Sequence, residues 1–582
     1  GKPVQSQVDR YWSGLQDSEP SASEYVVWFA VVLPPFGAAK YTVYVRSSPA
    51  EAPEGLSQAV ASTVTEYTPG GAGAGDFLRG AGGSGVEKAD IAMGDRGEIV
   101  IENDVYKVEI NSLCLIRAIT DKRDGRRVDI NQSMKLYRTQ KSGAYIFRPR
   151  GNPEAVGPGA RKCRVFRGPV AHALTAVTGD MGFGVRSLLP MGSKEVVVAR
   201  ALQQALTVSV RPNEELTTDI RTNLKNKREL STHNGIEMVQ RRSLMAGGKI
   251  AKNYWPSVYG ARVAEPTGSA LAVLNSHAVG VGSQDEGHLE FMVHRQLAQD
   301  DGRGLSEAVR DDSRPEVSLW YTVDASSSPG LFELHRLRIN NPPQILYLAE
   351  AGSEVPEMLP RFEPLEKEFP AHVHVMSLLV RDGSTDEVIL RLRSLSPRAA
   401  EFKIALGTEA GKEGLFKHLT VEMASSSTLT ANHQGKRFDD ALAYGVSKET
   451  VDEATKHLDQ TAKEQQASQN TDEEGVFLSK SALERSRKLL SVSSPEAVVL
   501  PGAIATYTVV LKDLMNPEAR SKWLDDLKTK YPEYAKQLTK PKAVAFTPST
   551  ANPNNNINNN INNNINNNRA IPPVDPRELK PR

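Results

Sequence analysis

Apolar and polar positions alternate with a period of two through most of this chain. From Val105 to Ile110, Tyr106, Val108 and Ile110 fall on one side and Lys107 and Glu109 on the other, which is the pattern of a half-buried strand. The same reading fits Leu206 to Val210, Leu216 to Thr222, Val317 to Val323, His372 to Val380, Val388 to Leu395 and Ile504 to Leu511. Asp124-Gly125 lies between two such runs and predicts a hairpin. Val26 to Leu33 is apolar almost throughout and ends at Pro34-Pro35, so it predicts a buried strand. Many short strands with turns between them, and few helical patterns, predict a mostly-β chain of several stacked antiparallel β-sandwich domains.

Three stretches interrupt the alternation. Residues 69–98 open on Gly70-Gly-Ala-Gly-Ala-Gly75 and Gly80 to Gly85 and read as a flexible connector or surface loop. The segment lacks the GK[ST] ending and the strand-to-helix setting that a phosphate-cradling loop requires. Within residues 434–495, Val451, Ala454, Leu458 and Ala462 share a helical face and Ser479 to Leu490 reads as another helix, which together predict a small helical insertion. Residues 546–582 include an asparagine tract with Ile557, Ile561 and Ile565. Three isoleucines bury too little area to offset the entropy of ordering that tail, so it is set outside the fold.

Composition narrows the partners. Lys and Arg total 71 against 70 Asp and Glu over 582 residues, a net charge of +1. A field that cancels this closely gives no long-range attraction for nucleic acid or anionic lipid. No run of about 20 apolar residues occurs, so no helical membrane span is predicted. Cys114 and Cys163 are the two cysteines. They can form one bridge or stay apart as buried thiols, and the sequence leaves that open. Asn131-Gln132-Ser133 is a glycosylation sequon with Asn131 as acceptor in a secretory setting.

Candidate chemistry sits in two motifs. In Lys141-Ser-Gly-Ala-Tyr-Ile-Phe-Arg-Pro149, Gly143 and Ala144 keep the chain low and leave the phenol of Tyr145 free to project. A tyrosine offers an apolar ring and a hydroxyl that both donates and accepts, which suits a sugar hydroxyl; a core tyrosine on a strand is the competing reading. In His294-Arg-Gln-Leu-Ala-Gln-Asp-Asp-Gly-Arg-Gly304, Asp300 and Asp301 lie close to Arg303 between glycines. That arrangement predicts a tight turn in which a carboxylate fixes the guanidinium by a bidentate ion pair, against the plainer reading of a solvated turn. Metal-ligand spacing is poor. His457 and Asp459 would point apart on a helix, and His372 with His374 on one strand face has no third ligand nearby, so these read as structural histidines.

These motifs resemble those of class II α-mannosidases, glycoside hydrolase family 38, which carry an SGAYLF-like strand and an R-x-L-x-x-D-D-x-R-G segment at similar spacing. Further similarity runs over residues 3 to 515: Val4 to Trp12, Leu33-Pro-Pro-Phe-Gly37, Leu230 to Gly235, His372-Val-His-Val375, and Val499 to Tyr507. His233 stands where the family usually has Asp. The resemblance implies the C-terminal, β-rich half of such an enzyme. Its layout would be residues 1–68 as the remainder of a first β-sandwich, 69–98 as a linker, and 99–345 as a large super-sandwich of the galactose mutarotase kind. A C-terminal sandwich region would follow over 346–545, carrying the helical insertion, and then the tail.

It further implies that Tyr145 and Arg303 line a mannose pocket, with Asp300 and Asp301 as supports. The family's zinc ligands, nucleophile and acid/base belong to H-x-H-x-D-P-G-W and H-H-D-A segments, and neither motif occurs here. The resemblance therefore implies that Zn²⁺ and the nucleophile come from an N-terminal catalytic chain, with a mannose-containing N-glycan as substrate. Gly1 opens onto a strand pattern, which is expected of a proteolytically matured precursor whose two products stay bound. A lysosome or vacuole is the compartment implied, with Golgi or extracellular locations and a homo-oligomer compatible. A non-catalytic mannosidase-like scaffold or glycan-binding protein is the alternative expectation.

Overall fold

A computed structural model describes residues 3–10, 24–43 except 35, 58–67 and most of 99–345. It also describes 361–362, parts of 373–395, the strands at 402–405, 420–427, 496–499 and 504–512, and a few single positions. Residues 1–355 and 360–516 form one compact unit, and 356–359 with 517–582 form a second. The Gly-rich 69–98 segment, the 434–495 insertion and the Asn-rich tail lie outside the described residues.

Two large sheets, antiparallel throughout, make the centre. Eight strands of a nine-stranded sheet run, in spatial order, Tyr254–Ser257, Val279–Gly282, His288–Gln296, Glu214–Thr222, Arg127–Arg138, Ile116–Asp121, Tyr106–Ile110 and Ile99–Glu102, with Glu154–Val156 pairing Arg127–Arg138. A ten-stranded sheet runs from Met238–Arg242 through Ser269–Asn275, Glu316–Ala325 and Leu202–Thr207 to Ala160–Arg167 and Thr63–Tyr67. Their facing sides share one core. Ile101, Val108, Ile119, Ile130, Leu216 and Phe291 come from the first sheet; Val165, Leu174, Leu206, Val273, Leu319 and Val323 come from the second. The mostly-β, super-sandwich expectation is met, for the reason the alternation gave: one side chain in two faces the partner sheet.

Local chemistry explains the junctions. Gly125 sits at φ 76 between Ile116–Asp121 and Arg127–Arg138, and its N–H bonds Asp121 O at 2.8 Å, closing the predicted hairpin. Tyr106 crosses the core and accepts the Val323 N–H at 3.0 Å. Gln132 joins the sheets through Gln204 and Tyr321. Both buried polar groups therefore have partners.

Four features depart from the sequence reading. Thr63–Tyr67, assigned with the first sandwich, hydrogen-bonds to Ala160–Arg167 and so belongs to the ten-stranded sheet. Glu109, predicted to face water, is buried and pairs with Arg127 at 2.6 Å. The helix Gly330–Asn340 was not anticipated; it lays Phe332 on Ala272 and Leu274 of the ten-stranded sheet. The Val26–Leu33 run is not a buried strand. Only Tyr25–Phe29 is extended, in a small sheet with Ser6–Arg10, and alternation leaves Tyr25, Val27 and Phe29 exposed while Trp28 bonds Asp9 at 2.7 Å.

Candidate functional site

The side of the nine-stranded sheet away from the core is polar, and its register dictates which residues meet. Glu215 pairs with Tyr137 on one side and Arg295 on the other; Thr217 lies beside Lys135; Asp219 lies beside Ser133 and Glu290. Glu215, Thr217, Asp219, His288 and Glu290 are all buried. Phe147 covers this layer, packing edge-on against Tyr137 (5.2 Å) and Tyr254 (4.9 Å). Two residues earlier in the same turn comes Tyr145, which is 67% exposed. The phenol does project, and the competing reading of a core tyrosine does not hold.

The second motif grips the first. Asp301 Oδ2 accepts the backbone N–H of Tyr145 at 2.8 Å and of Ile146 at 3.0 Å, while its Oδ1 accepts the N–H of Arg303 at 3.2 Å. One carboxylate therefore ties down the main chain of both sugar-site candidates. Asp300 accepts the N–H of Gly302 at 3.0 Å, and Gly302 at φ 69 and Gly304 at φ 105 turn the loop. Gln299 Nε2 donates to Ser142 O at 2.8 Å. Gly143 is required by this docking, because a Cβ there would lie 2.4 Å from the Cβ of Asp301.

This corrects the expected bidentate ion pair. Both oxygens of Asp301 and one of Asp300 accept backbone N–H groups, and among the described residues no carboxylate pairs with the exposed Arg303 guanidinium. The arginine is placed through its main chain and presents its donors outward.

Beneath the turn lie residues that the sequence reading did not single out. Arg295 bonds Glu215 at 2.7 Å and donates to Gly143 O at 3.0 Å and Ile146 O at 3.2 Å. Ser142 Oγ donates to the other Glu215 oxygen at 2.9 Å and accepts the Arg148 N–H at 2.8 Å. Burial pushes the Glu215 carboxyl up, and Arg295 and Ser142 only partly offset that. Arg295 and Ser142 lie inside the two motifs, so their spacing was a usable signal. Glu215 lies in neither motif, and only its place on an alternating strand could have pointed to it.

Asp219, His288 and Glu290 bring their ligand atoms within 4.8 Å of one another and are the one such grouping among the described residues. They do not fit a zinc ion. The His288 Nδ1 accepts the Gln284 N–H at 2.8 Å, so Nε2 carries the proton it gives Asp219 at 2.6 Å, and no imidazole lone pair is left. The Lys135 ammonium also sits on Asp219. His372, His457 and Asp459 lie outside the described residues. His374 is half-buried, and burial with Arg336 and Arg393 pushes its pKa down. His233 bonds Glu333 at 3.2 Å and stacks on Phe332, a packing role.

Burial would raise the Asp219 carboxyl, but hydrogen bonds from His288 and Lys135 outweigh it and bring it to about 2. Its folded value lies below the unfolded one. It therefore stabilises the fold above about pH 4, and that contribution, about 2 kcal/mol, disappears as pH falls toward 2. Acid titration of stability should show this loss, and Asp219→Asn should flatten it. Equal slopes for both proteins would refute the assignment.

In this β-super-sandwich one carboxylate, that of Asp301, thus holds the main chains of two residues, Tyr145 and Arg303, that are both exposed. Residues 101–303 match the model of the glycosyl hydrolases family 38 C-terminal domain. The chain is 26% identical over 349 residues to alpha-mannosidase E of Dictyostelium discoideum, covering 56% of this chain and 30% of that protein. It is 23% identical over 464 residues to human alpha-mannosidase 2, covering 74% and 38%. The chain thus spans about a third of the length of these relatives. An alpha-mannosidase structure from Enterococcus faecalis aligns at 10% identity and TM-score 0.42, over 55% of this chain and 39% of that one. No helix among the described residues is long and apolar enough to cross a membrane.

Proposed function

We propose that this chain is the C-terminal chain of a zinc-dependent, retaining exo-α-mannosidase that removes terminal α-mannose from N-glycans. The observation that carries the reading is the shared Asp301 carboxylate, which holds the main chains of Tyr145 and Arg303 together while Tyr145 stays exposed. Tyr145 would offer a sugar its ring face and a hydroxyl that donates once and accepts. Arg303 would offer only donors, so it would read sugar oxygens or a neighbouring carboxylate. Neither group is a nucleophile here. Retention needs two carboxylates about 5 Å apart, and we assign these, with the zinc, to a separate N-terminal chain. Zinc bound there would grip sugar hydroxyls. Asp300 and Asp301 act through the turn and not on the sugar. The same proposal includes the domain layout, with its boundary moved to take in residues 63–67, a secretory compartment such as lysosome or vacuole, and a glycan on Asn131. Asn131 is exposed on Arg127–Arg138.

The test uses the protein joined to its N-terminal counterpart, with zinc supplied. Release of p-nitrophenol from an aryl α-mannoside is expected. Tyr145→Phe should lower kcat/KM about tenfold, the worth of one hydrogen bond to a sugar. An intact substrate with the complete, zinc-loaded protein would favour the scaffold or glycan-binding alternative.

A further inference from the structure

We propose that Arg295, locked by Glu215, is a positioning residue for the sugar-facing Tyr145, acting through the carbonyl oxygens of Gly143 and Ile146. The inference rests on the sugar-site reading above and adds to it a part that does not touch substrate.

Geometry makes the case. Tyr145 sits at the tip of a turn with no strand partner on either side, since the Thr139–Pro149 bridge is where regular pairing stops. An exposed tip of this kind would normally sample many backbone conformations. Here the chain on either side of the tyrosine is bonded from both directions. Asp301 takes the N–H groups of Tyr145 and Ile146 from one side, and Arg295 gives to the carbonyls of Gly143 and Ile146 from the other. Ile146 is thus held at both its donor and its acceptor. The Gly143 N–H closes the turn onto the Ile146 O at 3.0 Å.

The guanidinium is suited to this task. It is planar; its Nε and Nη2 both meet the Oε1 of Glu215, which fixes the plane, and the same Nη2 gives to the two carbonyls of the turn. Glu215 is fully buried at strand position 215, the start of Glu214–Thr222, so the anchor is part of the sheet and not of the loop. Ser142 bonds the second Glu215 oxygen, so the carboxylate cannot swing away. The chain of contacts runs sheet, Glu215, Arg295, turn, Tyr145. A lysine in place of Arg295 would keep the charge on Glu215 but has no counterpart of the Nε–H bond to that carboxylate, so the one nitrogen that reaches both carbonyls would no longer be held in a fixed plane.

Arg295→Lys is the informative variant because it leaves no buried carboxylate unpaired; Arg295→Ala would leave one and could fail to fold for that reason alone. In the complete protein, Arg295→Lys should speed amide hydrogen exchange at Tyr145 and Ile146 about tenfold with the sheet amides unchanged. It should lower kcat/KM for an aryl α-mannoside about tenfold, and that loss should shrink below about twofold when Tyr145 is already alanine, since nothing is then left to position. Equal losses in the two backgrounds, or unchanged exchange at Tyr145 and Ile146, would overturn the proposal. If the unaltered protein hydrolyses no mannoside, the exchange measurement alone decides the positioning role while the enzymatic reading falls.

Discussion

Replacing Asp301 with alanine is expected to reduce kcat/KM for a mannoside about 100-fold, or about 3 kcal/mol at the transition state. The carboxylate accepts three backbone N–H groups, two from the tyrosine turn and one from Arg303. Bonds from N–H groups to an ionised acceptor are worth about 1.5–3 kcal/mol each when sheltered. At this partly exposed turn water can replace them, so the loss in global stability should be smaller, about 1–2 kcal/mol. What water cannot replace is the mutual placement of phenol and guanidinium. Asp301→Asn keeps an acceptor oxygen and should recover part of the activity. Gly143→Ala attacks the same joint from the other side by driving a methyl into Asp301, and it should resemble Asp301→Ala without touching the charge. Steady-state kinetics with parallel urea melts check all three. An Asp301→Ala protein that stays folded and keeps full activity would show that the carboxylate does not organise the pocket.

How the molecule could be read from its sequence follows from where its energy lies. The core is set by alternation, and alternation is local, so strands such as Tyr106–Ile110 and Glu316–Ala325 were legible. The exposure of Tyr145 and Arg303 was legible because glycines beside them signalled turns. The join between the turns was only half legible. Asp301 stood out as a charge beside Arg303, and the nearest-neighbour ion pair was the natural reading. Three N–H groups brought in by the fold outcompete that pair, and no local pattern records them. Glu109 and Glu215 fail for a related reason: period-two alternation assigns a face but cannot tell whether that face is wet. Both are covered and both are matched with an arginine, Glu215 with Arg295 of the adjoining strand and Glu109 with Arg127 from the next strand but one. The exposed Tyr25–Phe29 strand errs in the opposite sense, since an apolar run does not state what it packs against.

The second large effect concerns Cys114 and Cys163, which are bonded to each other with Cα atoms 6.5 Å apart. Cys114 lies in the turn between Tyr106–Ile110 and Ile116–Asp121 of the nine-stranded sheet; Cys163 lies on Ala160–Arg167 of the ten-stranded sheet. The bond therefore ties one layer of the super-sandwich to the other, and both sulfurs are sealed in the shared core. It closes a loop with a sequence separation of 49, for which the loop-entropy relation gives about 4 kcal/mol lost from the unfolded chain's freedom. A Cys114→Ala, Cys163→Ala double variant should lose about that much in urea unfolding, a large share of the stability of a domain of this size. Dithiothreitol should leave the native protein unaffected, because neither sulfur reaches solvent, and should destabilise it only under conditions that open the core. Thiol titration of the denatured, unreduced protein then decides the matter: no free thiol supports the bond, and two free thiols would remove both it and the oxidising compartment that such a bond requires to form. A sealed bond between layers also explains why Cys114 tolerates φ 62, a conformation uncommon away from glycine. Asn111 takes the N–H groups of Leu113 and Leu115 through its side chain, and its carbonyl takes that of Cys114. These bonds hold Cys114 beside the strand Ile116–Asp121.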